Sequence, residues 1–338
     1  MKLKDTLLKT DKKQVYAFYE KINEHALDYS LVTRNDIYLN IISLYREDPE
    51  LILKLCSMEE IHILKKLLEE NIKKQENGYI DYLLFTNLQN NYLIVLDNGE
   101  YTIFEDLVNY VKMAMNLLDE KVYSIEDVMD SVLIGLSRVY NTIMLADAIA
   151  LLQSYAIYFD VSSLKARVRK QAKLKNKIAI IRLQKQEYLV SLEFPYHKDV
   201  LSLRKDFKIA NYTLEEMISY GKYKLNLFQE KTLNFLNFLE VHLDPLSIDL
   251  LINDLIFYCG FDINNEGLLF DKICDGIEAL YKEVINIVAE FPVWIYYGNN
   301  LHTFKEHIIL PNRNDPCLCG SGKKFKNCCD KISCWYLQ

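Results

Sequence analysis

The chain has 338 residues, half of them hydrophobic, and a formal net charge of −7. That length supplies two or three domains with a sizeable core, and the charge is that of an ordinary soluble protein. With 24 tyrosines but only 10 glycines and 6 prolines, the composition favours long helices over a β-sandwich. Met1–Lys13 lacks the apolar core of a signal peptide, and no apolar run reaches the roughly 18–20 residues of a spanning helix. The expectation is a cytoplasmic protein with reduced cysteines and no membrane partner.

Residues 1–70 read as helical. Val15, Phe18, Tyr19 and Ile22 recur at helical spacing, Asn35-Asp36 marks a helix start, and Ser57-Met58-Glu59-Glu60 has the form of a capping box before Ile61–Leu68. The period then changes. Two β-prone runs, Tyr92–Leu96 and Tyr101–Phe104, flank Asp97-Asn98-Gly99-Glu100, and Asn-Gly between such runs is a strong hairpin signal. Two helices followed by a hairpin is the order of a winged helix.

The same order recurs downstream. Tyr123-Ser124-Ile125-Glu126 reads as a helix start, and Met144–Tyr155 as a second helix. Asp160-Val161-Ser162-Ser163 caps a third, whose apolar stripe is Val161, Leu164, Val168 and Ala172. Ile178–Leu183 and Tyr188–Phe194 then form a hairpin about Gln184–Glu187. Charge separates this unit from the rest. Residues 161–187 hold nine basic side chains (Lys165, Arg167, Arg169, Lys170, Lys173, Lys175, Lys177, Arg182, Lys185) and one acid, Glu187. Lys165, Arg169 and Lys173 fall on one i, i+4 line, with Arg167 and Lys170 further round. A recognition helix facing DNA or RNA phosphates has this pattern. So has a face docked on the acidic remainder of the protein or on another protein, and so has a solvated face. The 92–104 hairpin carries no basic residue, so the first unit reads as structural.

Residues 196–300 return to helix. Thr213-Leu214-Glu215-Glu216 and Asp244-Pro245-Leu246-Ser247 are start signals, and Gly260 is a stop. Phe228, Leu233, Phe235, Leu236 and Leu239 suit one buried face, and residues 267–290 form a further helix. Catalytic patterns are missing. None of the six histidines forms HExxH, and there is no GxSxG, dinucleotide fingerprint or P-loop. His242 beside Asp244 reads as a helix-end feature. Cys56, Cys259 and Cys274 sit in apolar helical context as core residues, and Cys334 is spare. A non-enzymatic role with no small-molecule substrate is the expectation.

The C-terminal run Pro316–Asp330, PCLCGSGKKFKNCCD, names its own chemistry. Cys317 and Cys319 form C-x-C; eight residues later come Cys328 and Cys329. Gly320-Ser321-Gly322 allows a tight turn and Lys323–Asn327 a short return, which brings four thiolates around one point. That donor set is a closed tetrahedral zinc site. A disulfide or unrelated thiols are the alternative, disfavoured because adjacent cysteines pair only with strain. His302 and His307 lie near enough to substitute for a thiolate, though four cysteines suffice.

The dense match of Arg313–Cys329, with its Asn-Asp-Pro lead, resembles the SEC-C motif first recognised at the C-terminus of the SecA translocation ATPase. Leu318 stands where proline is usual. The resemblance covers about residues 311–331. It implies a small ββα-like knuckle around one structural Zn²⁺, which in SecA docks a chaperone partner and the ribosome; the ATPase is not implied. Lys323, Lys324, Phe325 and Lys326 would then face a protein or ribosomal partner, the lysines offsetting the site's −2 charge; a merely solvated face is compatible. Phe291–Trp294 and Gly298–Asn300 also resemble a stretch that precedes this tail in some bacterial proteins.

The expected fold class is therefore mainly α: a multi-helical body with one or two winged-helix-like units bearing small β-hairpins, and a C-terminal zinc knuckle. The expected segments are 1–55, 56–110, 111–195 (with the basic helix), 196–300, a connection at 301–313, and the knuckle at 314–331. The expected function is an adaptor presenting the knuckle, or a nucleic-acid-binding regulator using Lys165, Arg167, Arg169, Lys170, Lys173, Lys177 and Arg182.

Overall fold

Short polar side chains set half of the described helix starts. In the computed structural model, which describes residues 1–23, 27–74, 78–183, 185–204, 208–260, 283–284, 287–288, 290–300 and 324, Thr33, Ser57 and Thr213 each close a capping box with the acid three residues on. Asp11, Asp119 and Asp160 each accept from two backbone N–H groups of the first turn. The described residues are mostly helical with two small antiparallel sheets.

The first core is built by α1 (Leu3–Lys9), α2 (Lys12–Ile22), α3 (Arg34–Glu47), α4 (Glu50–Lys54), α5 (Met58–Glu69), strand β1 (Ile72–Lys73), α6 (Tyr79–Asn90), β2 (Ile94–Asp97), β3 (Glu100–Ile103) and α7 (Val108–Leu117). Its sheet runs β1-β3-β2. Asn98 and Gly99, both at positive φ (50° and 81°), make the two-residue turn between β2 and β3.

The second core follows a different recipe. Helix α8 (Glu120–Tyr140), strand β4 (Thr142–Met144), helices α9 (Leu145–Ser154) and α10 (Val161–Lys175), then strands β5 (Ile178–Leu183) and β6 (Gln186–Ser191) fold around Leu133, Leu136, Ile143, Leu164, Val168 and Leu189. The sheet order is β4-β6-β5. Three sequence expectations are corrected here. Helix α8 begins at Glu120 under an Asp119 cap, so Ser124 lies inside it. The run Met144–Tyr155 is divided, because Met144 ends a strand paired to Tyr188 and the helix starts at Leu145. The buried stripe of α10 is Leu164, Val168, Gln171 and Leu174, with Val161 exposed in the first turn.

A third core gathers α11 (His197–Leu203), α13 (Glu230–His242), α14 (Pro245–Gly260) and the 3₁₀ turn Trp294–Tyr296. Helix α12 (Leu214–Tyr223) instead lies along α8. Backbones meet there: a Cβ on Gly221 would sit 1.8 Å from the Ser131 carbonyl oxygen, and one on Gly135 2.1 Å from that of Met217. Phe228 and Leu233, expected on a buried face, are exposed; Phe228 precedes α13, which turns Thr232, Phe235, Leu236 and Leu239 inward. Trp294 is wholly buried and donates its indole N–H to the Arg138 carbonyl at 2.8 Å. The helix expected at 267–290 falls largely outside the described residues. Among those described, no helix is long and apolar enough to cross a membrane.

Candidate functional site

Helix α10 divides its basic residues between two faces. Toward α8, Arg167 approaches Asp130 Oδ1 through Nε at 2.7 Å and Nη2 at 2.6 Å, and Nη2 also donates to the Glu126 carbonyl at 2.8 Å. Gln171 donates to the second Asp130 oxygen, and Lys175 stands 3.8 Å from it. Asp130 is buried, so this cluster is an internal clamp between two helices. Lys165 pairs with Glu187 on the hairpin at 2.7 Å, and Lys170 lies 3.9 Å from Glu126 at the surface, where such a pair is weak.

The outer face differs. Arg169 and Lys173, one turn apart, are exposed and make no ion pair among the described residues, and Arg182 and Lys185 on the hairpin are exposed as well. Between α10 and β5 runs a groove of about 300 Å³ lined by Val168, Arg169, Ala172, Ile180 and Arg182. Lys177 lines a different, partly open cavity. Helical spacing put Lys165, Arg169 and Lys173 on one line; the structure commits Lys165 to Glu187 and leaves the other two available. The spacing Glu126, Asp130 on α8 was the legible signal for Arg167's partner, an acidic i, i+4 pair facing a basic helix.

Of the C-terminal run, Lys324 is described and exposed. Cys317, Cys319, Cys328, Cys329, Lys323, Phe325 and Lys326 lie outside the described residues, as do His302, His307, Cys274 and Cys334. Cys56 and Cys259 are buried free thiols. Burial pushes the Cys56 thiol well up and that of Cys259 likewise, which makes both poor nucleophiles. His242 packs on the Phe238 ring at 4.5 Å, and Asp244 accepts from the N–H groups of Leu246 and Ser247 at 3.0 and 3.1 Å. Among the described residues no group of three or more His, Cys, Asp or Glu side chains is placed to hold a metal ion.

Comparison with known proteins bears on the C-terminal run. The family described as SEC-C motif matches residues 313–330. The chain carries a SEC-C motif. A UPF0225 protein of Shewanella sp. (strain ANA-3) is 43% identical over 60 residues, which is 18% of this chain and 34% of that protein. Another, from Shewanella sp. (strain MR-7), is 46% identical over 61 residues with the same coverage, 18% and 34%. Protein translocase subunit SecA of Chlorobium phaeobacteroides (strain BS1) is 81% identical over 21 residues, 6% of this chain and 2% of that protein. The chain thus spans about a third of the length of these UPF0225 relatives (34%). No solved structure matches it significantly.

Proposed function

We propose that this chain is a zinc-binding, non-enzymatic adaptor that presents its SEC-C motif to a protein or ribosomal partner. The match of the motif over residues 313–330, with all four cysteines in place, carries the reading. Cys317, Cys319, Cys328 and Cys329 supply four thiolates, which close a structural zinc site and leave no position for substrate. The thiolates leave a charge of −2 that Lys323, Lys324 and Lys326 offset, and the same lysines with Phe325 form the surface offered to an acidic partner. Zinc binding in so small a unit supplies much of its folding free energy, so metal and partner binding rise and fall together. The test compares the partners that co-purify with the wild-type chain, with a Lys323/Lys324/Lys326→Glu variant and with a Cys328→Ser variant. Loss in both variants is expected; identical partners in all three would sink the reading.

A second reading has its own support. In the second core, a helix, a strand, two helices and a hairpin follow in order, and the first strand pairs with the last. This order supports a winged-helix reading, in which α10 would take the place of the groove-reading helix and β5–β6 that of the wing. Arg169, Lys173, Arg182 and Lys185 are exposed on these two elements. A nucleic-acid-binding role would rest on these four and not on Arg167, which is engaged with Asp130. Fluorescence anisotropy with mixed DNA and RNA probes, at low and moderate salt, tests it. Binding that weakens steeply with salt and vanishes in Arg169/Lys173→Ala is expected if the role holds; no binding at low salt removes it.

A further inference from the structure

Where the first core meets α8, α12 and the end of α10, the structure forms a partly open cavity of about 240 Å³. This is many times the roughly 10–15 Å³ that seats one water. Charged side chains of both signs stand in its wall among Leu55, Leu83, Leu84 and Ile134. Lys222 is satisfied there, 2.5 Å from Glu59 and 2.9 Å from Asp127. Three more ammonium groups line the same space. Lys21 donates to the Asn91 side-chain oxygen at 2.6 Å. Among the described residues Lys175 has one ion-pair partner, Asp130, at 3.8 Å. Lys177 has no hydrogen-bond or ion-pair partner among the described residues. Of the three carboxylates in the wall, Glu59 and Asp127 meet Lys222, and the third, the buried Glu60, accepts from the Ser57 N–H at 2.7 Å; Glu193, outside the wall, also attracts Lys177. Asn87 and the exposed Asn90 complete the wall and its mouth.

Four lysines and three carboxylates line the hollow, and an excess of partly buried cations favours an anion. Size and donor type narrow the choice. Three ammonium groups and two amides, all donors of hydrogen bonds, match a tetrahedral oxyanion with several acceptor oxygens. We propose that this cavity binds a small phosphate-type anion, held by Lys21, Lys175 and Lys177 with the amides of Asn87 and Asn90. The site involves none of the zinc-motif residues and no exposed residue of α10. Because its wall is drawn from α2, α5, α6, α8, α10 and α12, the anion would brace two of the three cores against each other.

Proton linkage gives a signature that surface lysines cannot produce. Burial, and then the nearby Arg138 charge, lower the Lys177 ammonium to about 8. Lys21, Lys175, Lys222, Glu59, Glu60, Asp127, Tyr223 and Glu193 are the other titratable groups around it. An anion beside Lys177 favours its charged form, so binding near pH 8 takes up protons.

Thermal denaturation of the full chain in inorganic phosphate, in glycerol 3-phosphate and in chloride at matched ionic strength is the test, run on wild type, Lys177→Met and Asn90→Asp. Calorimetric titration at pH 8 in buffers of different ionisation enthalpy accompanies it. A Tm rise specific to phosphate is expected in wild type, weakened at least tenfold in affinity in both variants, with proton uptake lost in Lys177→Met. A preference between the free anion and the ester reports whether a substituent is also held. Equal responses to phosphate and chloride would overturn the proposal, as would a phosphate effect kept by the variants. Asn90 is at the mouth and exposed, so Asn90→Asp decides even if Lys177→Met does not fold.

Discussion

Arg138 donates through Nε and Nη2 to the two carboxylate oxygens of Glu193 at 2.7 and 2.8 Å. Its remaining nitrogen, Nη1, donates to the Tyr220 and Gly221 carbonyls at 2.7 and 2.8 Å. One guanidinium therefore ties α8 to the last turn of α12 and to the exit of the hairpin, and the Trp294 indole is hydrogen-bonded to its backbone. Removing one member of a buried pair leaves the other uncompensated. Arg138→Met is expected to cost about 3–5 kcal/mol in urea unfolding. The Arg138→Met/Glu193→Met double variant should cost less than the two single changes added together.

The same pair sets an acid limit. Burial pushes the Glu193 carboxyl up, but the Arg138 charge and its hydrogen bonds outweigh this and hold it at about 2, against an ordinary 4.5. A carboxyl depressed on folding stabilises the fold fully above its unfolded value and loses that contribution as pH falls toward its folded one. Stability should therefore decline between pH 4.5 and about 2. Denaturant titrations across that window should show a shallower decline for Glu193→Gln than for wild type.

The α8–α12 contact predicts an ordering among glycines. Gly221→Ala and Gly135→Ala place a methyl group against backbone that cannot yield without separating the helices. Each is expected to cost about 3 kcal/mol or more, at the upper end of overpacking effects. At Gly99 nothing lies within 4 Å and only the positive φ of 81° resists a side chain. Gly99→Ala should cost about 1–2 kcal/mol. Thermal midpoints of the three variants check the order.

The two faces of α10 should respond oppositely to mutation. Arg167→Met deprives the buried Asp130 of its closest counter-charge and is expected to destabilise by about 2–3 kcal/mol. Arg169→Ala and Lys173→Ala should stay within about 0.5 kcal/mol of wild type. Chemical denaturation separates the two groups, and a nucleic-acid titration of the same variants should move in the reverse order if the basic face meets phosphates.

For the zinc motif, the expected stoichiometry is one Zn²⁺ per chain by elemental analysis. Cys317→Ser or Cys329→Ser should lower it well below one. The far-UV circular dichroism of the helical body should be retained, because the described helices and strands form three cores among themselves. Loss of most helical signal on metal removal would contradict this.

Local chemistry was the legible part of the fold. The Asn98-Gly99 turn, the Ser57 and Thr213 capping boxes and the Asp160 cap depend on a few neighbouring residues, and each is where the pattern placed it. What depends on distant partners was hidden. Strand β4 is three residues long, sits inside an apolar run, and exists because β6 lies beside it. Val161 and Phe228 are apolar by type but fall where no other element covers them. The basic cluster showed its charge but not its division, since the partners of Arg167 and Lys165 lie 37 and 22 residues away. The cysteine motif was readable because its cysteines are close in sequence; the charged cavity was not, because its wall draws on six helices.

Tyr79 belongs to α6 yet is buried in the third core, where its hydroxyl donates to Asp249 at 2.8 Å and its N–H to Glu240 at 2.7 Å. Phe85 and Leu88, one and a half turns or more along the same helix, belong to the first core. During synthesis, α6 must therefore wait about 160 residues before its first turn is covered, a long loop to close. A nascent or truncated chain ending before α13 would leave that ring and the face around it bare, a natural point for chaperone capture or aggregation.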